Sequence, residues 1–159
     1  MKTLIIIPSR MSATRLPGKP LLKINNLSII SLVCKKAEEA NIGDIVVATE
    51  DQEIVEDVNK NGFKAVLTSN THKTGSDRVF EAYKKLNLND VDFIMNLQGD
   101  EPAIAVKDII NLNQKMTNNN SQIGTLASKI KNSKDYENEN IVKVITENNL
   151  SENNFSKAL

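Results

Sequence analysis

The sequence of 159 residues has no tryptophan, few other aromatic residues and a single cysteine. One cysteine cannot form an intramolecular disulfide, so we expect a protein of a reducing compartment, the cytoplasm. Cys34 lies in register with apolar neighbours, which predicts a buried structural thiol rather than a nucleophile. Hydrophobic residues make up 40% of the chain, so Ile, Leu, Val and Ala can still build a core.

Net charge is also absent, because 20 basic residues balance 20 acidic ones. Proteins that bind nucleic acid or a membrane surface generally carry a broad basic field, so we exclude both kinds of partner. The apolar run at residues 3–8 is too short for a membrane span or a signal segment. We therefore expect a soluble, cytoplasmic protein in which any anion site is a local concentration of charge.

Arginine is scarce, and its placement is informative. Of the 20 basic side chains, only Arg10, Arg15 and Arg78 are arginines. Arg10 and Arg15 share one loop with Lys19, and Arg78 ends the segment 72–78. A guanidinium group matches two phosphate oxygens at once, which an ammonium group cannot do. The placement predicts a phosphorylated ligand, and the alternative is that so few arginines carry no functional meaning.

Apolar runs alternate with amphipathic stretches along the chain. The runs predict six strands, at residues 3–8, 44–49, 64–68, 92–97, 122–130 and 141–146. Helical periodicity predicts four helices, at residues 28–40, 51–61, 76–86 and 105–116. Alternating strands and helices predict an α/β fold of Rossmann-like type, with a mostly parallel sheet and helices on both faces. We expect one domain over residues 1–159.

Three polar segments follow predicted strands directly. In open parallel sheets, ligands bind outside the carboxyl ends of the strands. The loop after the first strand carries Arg10 and Lys19, the loop after the third carries residues 72–78, and the loop after the fourth carries residues 98–100. We therefore expect these three segments to meet at one edge of the sheet.

The chemistry of these segments suits a phosphate and a metal ion. The first loop is neither a Walker A motif nor a G-x-G-x-x-G motif, and its alternatives are a local anion trap or a solvated basic loop. Asp100 at the end of an apolar strand needs a cation, and Mg²⁺ is its natural partner beside phosphates. The alternative for Asp100 is a capping role. We assign His72, the single histidine, no general-base duty, since positioning and charge neutralisation dominate the transfer of phosphate groups.

The three segments resemble the motifs of the 3-deoxy-manno-octulosonate cytidylyltransferases, or CMP-KDO synthetases. The family opening Ile-Pro-Ala-Arg, followed by Ser/Thr-Arg-Leu-Pro-Gly-Lys-Pro-Leu, corresponds to residues 7–10 and 14–21. The family segment His-x-Ser-Gly-Thr-Asp/Glu-Arg corresponds to residues 72–78, with hydroxyl types exchanged at Thr74 and Ser76. Asn-x-Gln-Gly-Asp-Glu-Pro corresponds to residues 96–102.

This resemblance implies a Rossmann-like fold of the nucleotide-diphospho-sugar transferase type and a specific reaction. The anomeric hydroxyl of 3-deoxy-manno-octulosonate (KDO) attacks the α-phosphate of CTP, which gives CMP-KDO and pyrophosphate for lipopolysaccharide biosynthesis. The resemblance also assigns roles to residues. Arg10, Arg15 and Lys19 hold the triphosphate, Ser76 and Arg78 help to hold the nucleotide, and Gln98 faces the sugar or the cytidine. Asp100 holds Mg²⁺, and Lys19, Arg15 and Asp100 form the catalytic set.

The chain departs from the family at its C-terminal end, because family members continue past residue 159. We expect the fold to be incomplete there, and the chain to be weakly active or inactive alone. The absent part of the family carries most sugar contacts, a second Mg²⁺ carboxylate and much of the interface of the family's homodimer. Lys157 stands where the family has an arginine that meets the sugar carboxylate. The alternatives are a cytidylyltransferase for 8-amino-KDO or a sialic acid, and a non-catalytic remnant that binds nucleotide.

Overall fold

The computed structural model describes residues 1–12, 16–119, 121–151 and 155–159. The strands in these ranges are β1 Thr3–Ser9, β2 Lys23–Ile24, β3 Leu27–Ser28, β4 Gly43–Thr49, β5 Lys64–Leu67 and β6 Phe93–Asn96. The helices are α1 Ile29–Ala40, α2 Gln52–Lys60, α3 Gly75–Leu86, α4 Val106–Asn119 and α5 Ser133–Glu137. Side-chain caps begin two of the helices that bear on the site. Ser28 accepts a hydrogen bond from the amide of Ser31, and Thr74 accepts one from the amide of Asp77.

The main sheet has four parallel strands in the order β5-β4-β1-β6. β1 is central, with Ile5 paired to Ile45 of β4 on one side and to Met95 of β6 on the other. A separate antiparallel hairpin joins β2 to β3 through Asn25 and Asn26, both with positive φ. The predicted α/β class with a mostly parallel sheet is confirmed.

Alternate residues of β1 supply two apolar clusters, one on each face of the sheet. Ile5 and Ile7 belong to the cluster that also contains buried side chains of α1, α2 and α4. Leu4 and Ile6 belong to the cluster on the other face, which contains side chains of α3. The strand is buried throughout its length, as expected for a central parallel strand covered by helices on both faces. The helices therefore lie on both faces, as predicted.

The single cysteine is part of the first of these clusters. Cys34 of α1 is fully buried and free. Burial raises the pKa of its thiol to about 12, because the low-dielectric surroundings disfavour the thiolate. The prediction of a buried structural thiol is confirmed.

Strand β6 differs from its sequence-based prediction. The apolar run 92–97 predicts a strand buried on both faces, whereas Phe93 and Met95 are half-buried and Ile94 is 40% exposed. β6 is an edge strand of the described sheet. Met95 packs against the cluster beside α1, but no residue of β6 belongs to the cluster beside α3 in the part of the chain that the structure describes. Because helices cover only one face of β6, its residues alternate between half-buried and exposed.

The chain divides into two compact units, Met1–Asn113 and Gln114–Leu159. The first unit contains both sheets and helices α1 to α3. The second contains α5 and a single bridge between Thr146 and Ala158. Among the helices in the described ranges, none combines the length and the apolar composition that a membrane crossing requires.

The predicted strands at residues 122–130 and 141–146 are wrong. Apart from the one bridge at Thr146, the described residues of both segments have no strand partner. Most of their apolar side chains are exposed, with Ile123 at 91% and Val142 at 90%. A strand is stable only when a neighbour pairs its backbone N–H and C=O groups, and apolar composition alone does not supply that neighbour.

Candidate functional site

A cavity of about 570 Å³ opens at the carboxyl ends of β1, β5 and β6, within the first unit. It is lined by Pro8, Ser9, Arg10, Leu16, Lys19, Pro20, His72, Lys73, Thr74, Gly75, Arg78, Gln98, Gly99 and Asp100. The loops after the first, third and fourth predicted strands thus share one cavity. Of the eight residues to which the sequence assigns a site role, Arg10, Lys19, Arg78, Gln98 and Asp100 line it.

The first loop brings Lys19 to Asp100. Gly18 adopts a left-handed conformation with φ of 74°, and a 3-10 turn at Lys19–Leu21 follows. Such a positive φ is readily available only to glycine. The Lys19 Nζ donates to Asp100 Oδ2 at 2.8 Å and to the Asp100 carbonyl oxygen at 3.3 Å. The cation beside Asp100 at the end of its strand is therefore Lys19.

Two acidic residues after β4 hold the same loop, and the sequence did not single them out. Asp51 Oδ2 accepts a hydrogen bond from the amide of Met11 at 2.7 Å. Glu50 Oε1 accepts one from the hydroxyl of Ser12 at 3.4 Å. The available signal was their position at the carboxyl end of the second predicted strand. Arg15, which the sequence places in this loop, lies outside the described residues.

Arg78 lines the cavity, but its guanidinium group is bound to protein. The side chain is 3% exposed and forms an ion pair through Nη2 with Glu50. Its Nη1 donates to Thr68 Oγ1 at 2.6 Å. These contacts join the first turn of α3 to the ends of β4 and β5, so Arg78 helps to fix the cavity wall.

The N-terminus of α3 also forms part of the wall. Thr74 caps the helix by accepting from the amide of Asp77 at 3.2 Å, and both Thr74 and Gly75 line the cavity. The N-terminal end of a helix carries partial positive charge from its free N–H groups. Ser76 is exposed in the same turn and is not among the residues that line the cavity. The predicted nucleotide contact of Ser76 stays a prediction.

His72 is held at the cavity wall by Glu81. The His72 ring nitrogen Nε2 pairs with Glu81 Oε2, which also accepts from the amide of Ser69 at 2.9 Å. Lys85 Nζ lies 2.8 Å from Glu81 Oε1. Hydrogen bonds from Lys85, His72 and Ser69 lower the pKa of Glu81 from 4.5 to about 2. This pairing gives His72 a structural contact, and we assign it no step in proton transfer.

The loop after β6 runs directly against the end of β1. A side chain at Gly99 would place its Cβ 2.7 Å from the Pro8 carbonyl oxygen and 3.1 Å from Ile30 Cδ1. Only glycine permits this approach. Gln98 is exposed, and its Nε2 donates to Asn96 Oδ1 at 3.3 Å. The amide of Gln98 and the carboxylate of Asp100 are therefore accessible to a ligand.

The metal-binding carboxylate and Lys157 are the two remaining predicted features of the site. The described residues contain no group of three or more His, Cys, Asp or Glu side chains that could hold a metal ion. Asp100, with its side chain 59% exposed, is thus the one carboxylate that the described part of the chain offers within the cavity. Lys157 belongs to the second unit, where its side chain is exposed and its carbonyl accepts from the amide of Glu147 at 3.0 Å.

Known proteins resemble this chain in sequence and in fold. A relative from Afipia carboxidovorans, a 3-deoxy-manno-octulosonate cytidylyltransferase, is 44% identical over 144 residues, which are 90% of this chain and 58% of the relative. A solved structure of CMP:2-keto-3-deoxy-manno-octonic acid synthetase complexed with CTP is 38% identical with a TM-score of 0.71. The match covers 76% of this chain and 49% of that one. The chain thus spans about half to three fifths of the length of these relatives.

More distant likeness is one of fold alone. A Mycobacterium tuberculosis protein solved in complex with manganese is 11% identical, with a TM-score of 0.55, over 74% of this chain and 60% of that one.

The sequence model of the family described as Cytidylyltransferase matches residues 4–159. This match covers both compact units and all the residues that line the cavity. The chain therefore belongs to the cytidylyltransferase family.

Proposed function

We propose that the chain binds CTP in this cavity and serves the transfer of CMP to KDO. In this reaction the anomeric hydroxyl oxygen of KDO attacks the α-phosphorus of CTP. The bond between that phosphorus and the oxygen bridging to the β-phosphate breaks, and pyrophosphate leaves. The proposal is supported by the name of the 44% identical relative and by the CTP bound in the 38% identical solved structure.

One observation carries the proposal: three loops from separate strand ends meet around one cavity with cations and a carboxylate. Arg10 and Lys19 come from the first loop, and Asp100 comes from the loop after β6. The cavity volume of about 570 Å³ lies in the range typical of small-molecule sites. Its place at the carboxyl edge of a parallel sheet is where such folds bind nucleotides.

The site residues take the following proposed roles. Arg10 and Lys19, together with Arg15, bind the triphosphate oxygens. Gln98 contacts the sugar or the cytidine, and Ser76 supports the nucleotide. Arg78 acts on the nucleotide by positioning the first turn of α3, because Glu50 and Thr68 already engage its guanidinium group. Lys157 meets the carboxylate of the acceptor sugar.

Asp100 fits the requirements of Mg²⁺ better than those of a metal enclosed by protein ligands. Mg²⁺ retains several waters and is usually bound by one or two carboxylates together with substrate phosphates. One exposed carboxylate beside a cation-lined cavity matches that pattern. We propose that Asp100 holds Mg²⁺, which supplies neutralisation of phosphate charge when bound. Lys19 and Arg10 contribute the remaining positive charge from the chain itself.

Calorimetric titration with CTP, with and without Mg²⁺, tests the nucleotide site. We expect saturable binding, and we expect Arg10→Ala and Lys19→Ala each to weaken it by roughly tenfold or more, as for the loss of a charged hydrogen bond. Lys35→Ala on the exposed face of α1 is the matched control and leaves affinity unchanged. A wild-type chain that binds no CTP would refute the proposal.

The acceptor is tested by pyrophosphate release with CTP, Mg²⁺ and each sugar acid in turn. We expect release to be slow at most, because the chain alone is expected to be weakly active or inactive. We expect it with KDO rather than with 8-amino-KDO or a sialic acid, because the relatives that this chain resembles are named for KDO. Release with a sialic acid alone would reassign the acceptor.

We place the reaction in the cytoplasm, where the free thiol of Cys34 stays reduced.

A further inference from the structure

One buried hydroxyl in the first unit stands apart from the others. Ser9, the last residue of β1, is 8% exposed, and its Oγ finds no hydrogen-bond partner among the residues that the structure describes. Other buried hydroxyls have partners: Thr3 with Asn113, Ser31 with Asp57, Thr49 with the amide of Asp51, and Thr68 with Arg78. A buried polar group without a partner is costly, so each such group needs a specific explanation.

The unpartnered hydroxyl lies at the candidate site. Ser9 lines the cavity between Pro8 and Arg10. The family motif that the first loop resembles has alanine at this position, so the hydroxyl is not required for the turn itself. A serine hydroxyl can both donate and accept a hydrogen bond. A bound ligand would supply the partner that the protein does not.

Burial distinguishes which part of a nucleotide this hydroxyl can meet. Arg10 and Asp100 are exposed and Lys19 is 31% exposed in its side chain, so the charged groups of the cavity remain close to water. Phosphate charges are costly to bury and are expected beside these exposed cations. Ser9 is buried and uncharged, which suits the uncharged part of the nucleotide, its base or its ribose.

We propose that the Ser9 hydroxyl forms a hydrogen bond with the nucleoside part of the bound nucleotide and thereby contributes to substrate affinity. This inference rests on the proposed function, since it takes CTP as the occupant of the cavity. It adds a residue to the site for which the sequence motifs assign no side-chain role. Because the described residues offer this hydroxyl no partner, a nucleotide that reaches it supplies a hydrogen bond that the chain does not.

The Ser9→Ala variant separates this role from a structural one. We expect the free variant to melt at the same temperature as the wild type or higher, because it loses an unpartnered buried hydroxyl. CTP and CMP should both bind about fivefold to tenfold more weakly, the usual effect of one hydrogen bond. Tripolyphosphate, which has no nucleoside, should bind with unchanged affinity. Ser9→Cys keeps the unbranched shape with a weak donor, and should change the affinities in the same direction.

Ser31→Ala is the matched control, since the Ser31 hydroxyl is buried and donates to Asp57 at 2.9 Å. It should lower the melting temperature and leave CTP affinity unchanged. A Ser9→Ala variant with wild-type affinity for CTP and CMP overturns the inference. Weakened tripolyphosphate binding overturns the assignment to the nucleoside. If the wild type binds no CTP, the proposed function fails, and the inference fails with it.

Discussion

At the scale of single residues, the ion pair between Lys19 and Asp100 links the two halves of the proposed site. The ammonium and carboxylate groups are 2.8 Å apart, and each is assigned a different ligand group, phosphate for Lys19 and Mg²⁺ for Asp100. The two groups form an ion pair with one another. A second cation at Asp100 would leave the ammonium group of Lys19 available to phosphate, because the carboxylate would keep an opposite charge beside it. CTP and Mg²⁺ are therefore expected to bind cooperatively.

Replacing Asp100 tests this exchange. In Asp100→Asn, Lys19 loses its competing partner, so CTP in the presence of EDTA should bind at least as tightly as it does to the wild type. Added Mg²⁺ should then strengthen binding less than it does in the wild type, as measured by calorimetry. Glu39→Gln, which breaks the exposed pair of Lys36 with Glu39 at 3.1 Å, is the control. If Asp100→Asn binds CTP more weakly than the wild type in the presence of EDTA, the proposed exchange of Lys19 for Mg²⁺ at Asp100 is contradicted.

At the scale of elements, the buried pair of Arg78 and Glu50 connects α3 to the end of β4. Arg78 is 3% exposed and Glu50 is 15% exposed in their side chains. Glu50 also accepts from Ser12 of the first loop through its other oxygen. One carboxylate thus contacts two of the segments that form the cavity. The network therefore fixes the cavity walls to one another.

Breaking this pair should be strongly destabilising. Arg78→Met leaves the carboxylate of Glu50 buried without its cation, and the free energy of unfolding should fall by about 3–5 kcal/mol in urea denaturation. The double variant Arg78→Met/Glu50→Gln should lose less than the sum of the two single changes, because no unpaired charge remains. Lys36→Gln at the exposed α1 pair is the control, with a loss below about 1 kcal/mol. If Arg78→Met lowers the free energy of unfolding as little as Lys36→Gln does, the Arg78–Glu50 pair does not contribute as a buried ion pair.

The hydrogen bonds of Glu81 predict a specific loss of stability in acid. Its pKa is lowered from 4.5 to about 2 in the folded chain, so the folded state favours the carboxylate. This contribution is fully present above pH 4.5 and disappears as the pH falls from 4.5 to 2. Urea denaturation across that range should show a smaller acid loss in Glu81→Gln than in the wild type. Parallel curves for the two proteins would contradict the assignment.

The sequence predicts a strand correctly where an apolar run also has a neighbouring strand with which to pair. β1, β4 and β5 and the helices between them match the predictions to within a few residues, because each of these apolar runs pairs with a neighbouring strand in the sheet. The segment 122–130 has the pattern but no partner among the described residues. The same limit holds at the site. Cations and carboxylates are visible in the sequence, but the pairing of Arg78 with Glu50, 28 residues away, depends on tertiary packing.

At the scale of the whole molecule, the described parts of the two units differ in how much they bury. All the described residues that line the cavity lie between Pro8 and Asp100, inside the first unit. The described residues from 121 to 159 include none that is buried. A segment with few buried apolar contacts opens at low free-energy cost. Resistance to local unfolding should therefore be concentrated in the unit that carries the cavity.

Limited proteolysis with a glutamate-specific protease tests this distribution. Glu137, Glu139 and Glu147 are exposed in the second unit, whereas most glutamates of the first unit lie in its helices. We expect cleavage at these three sites first, because proteolysis follows the population of locally open states. Mass spectrometry should show an early fragment that ends near Glu137, and calorimetry should show that it keeps CTP affinity. If the protease first cleaves within α1 or α2, the first unit is not the more resistant one. If the trimmed fragment loses CTP binding, part of the nucleotide site lies in the second unit.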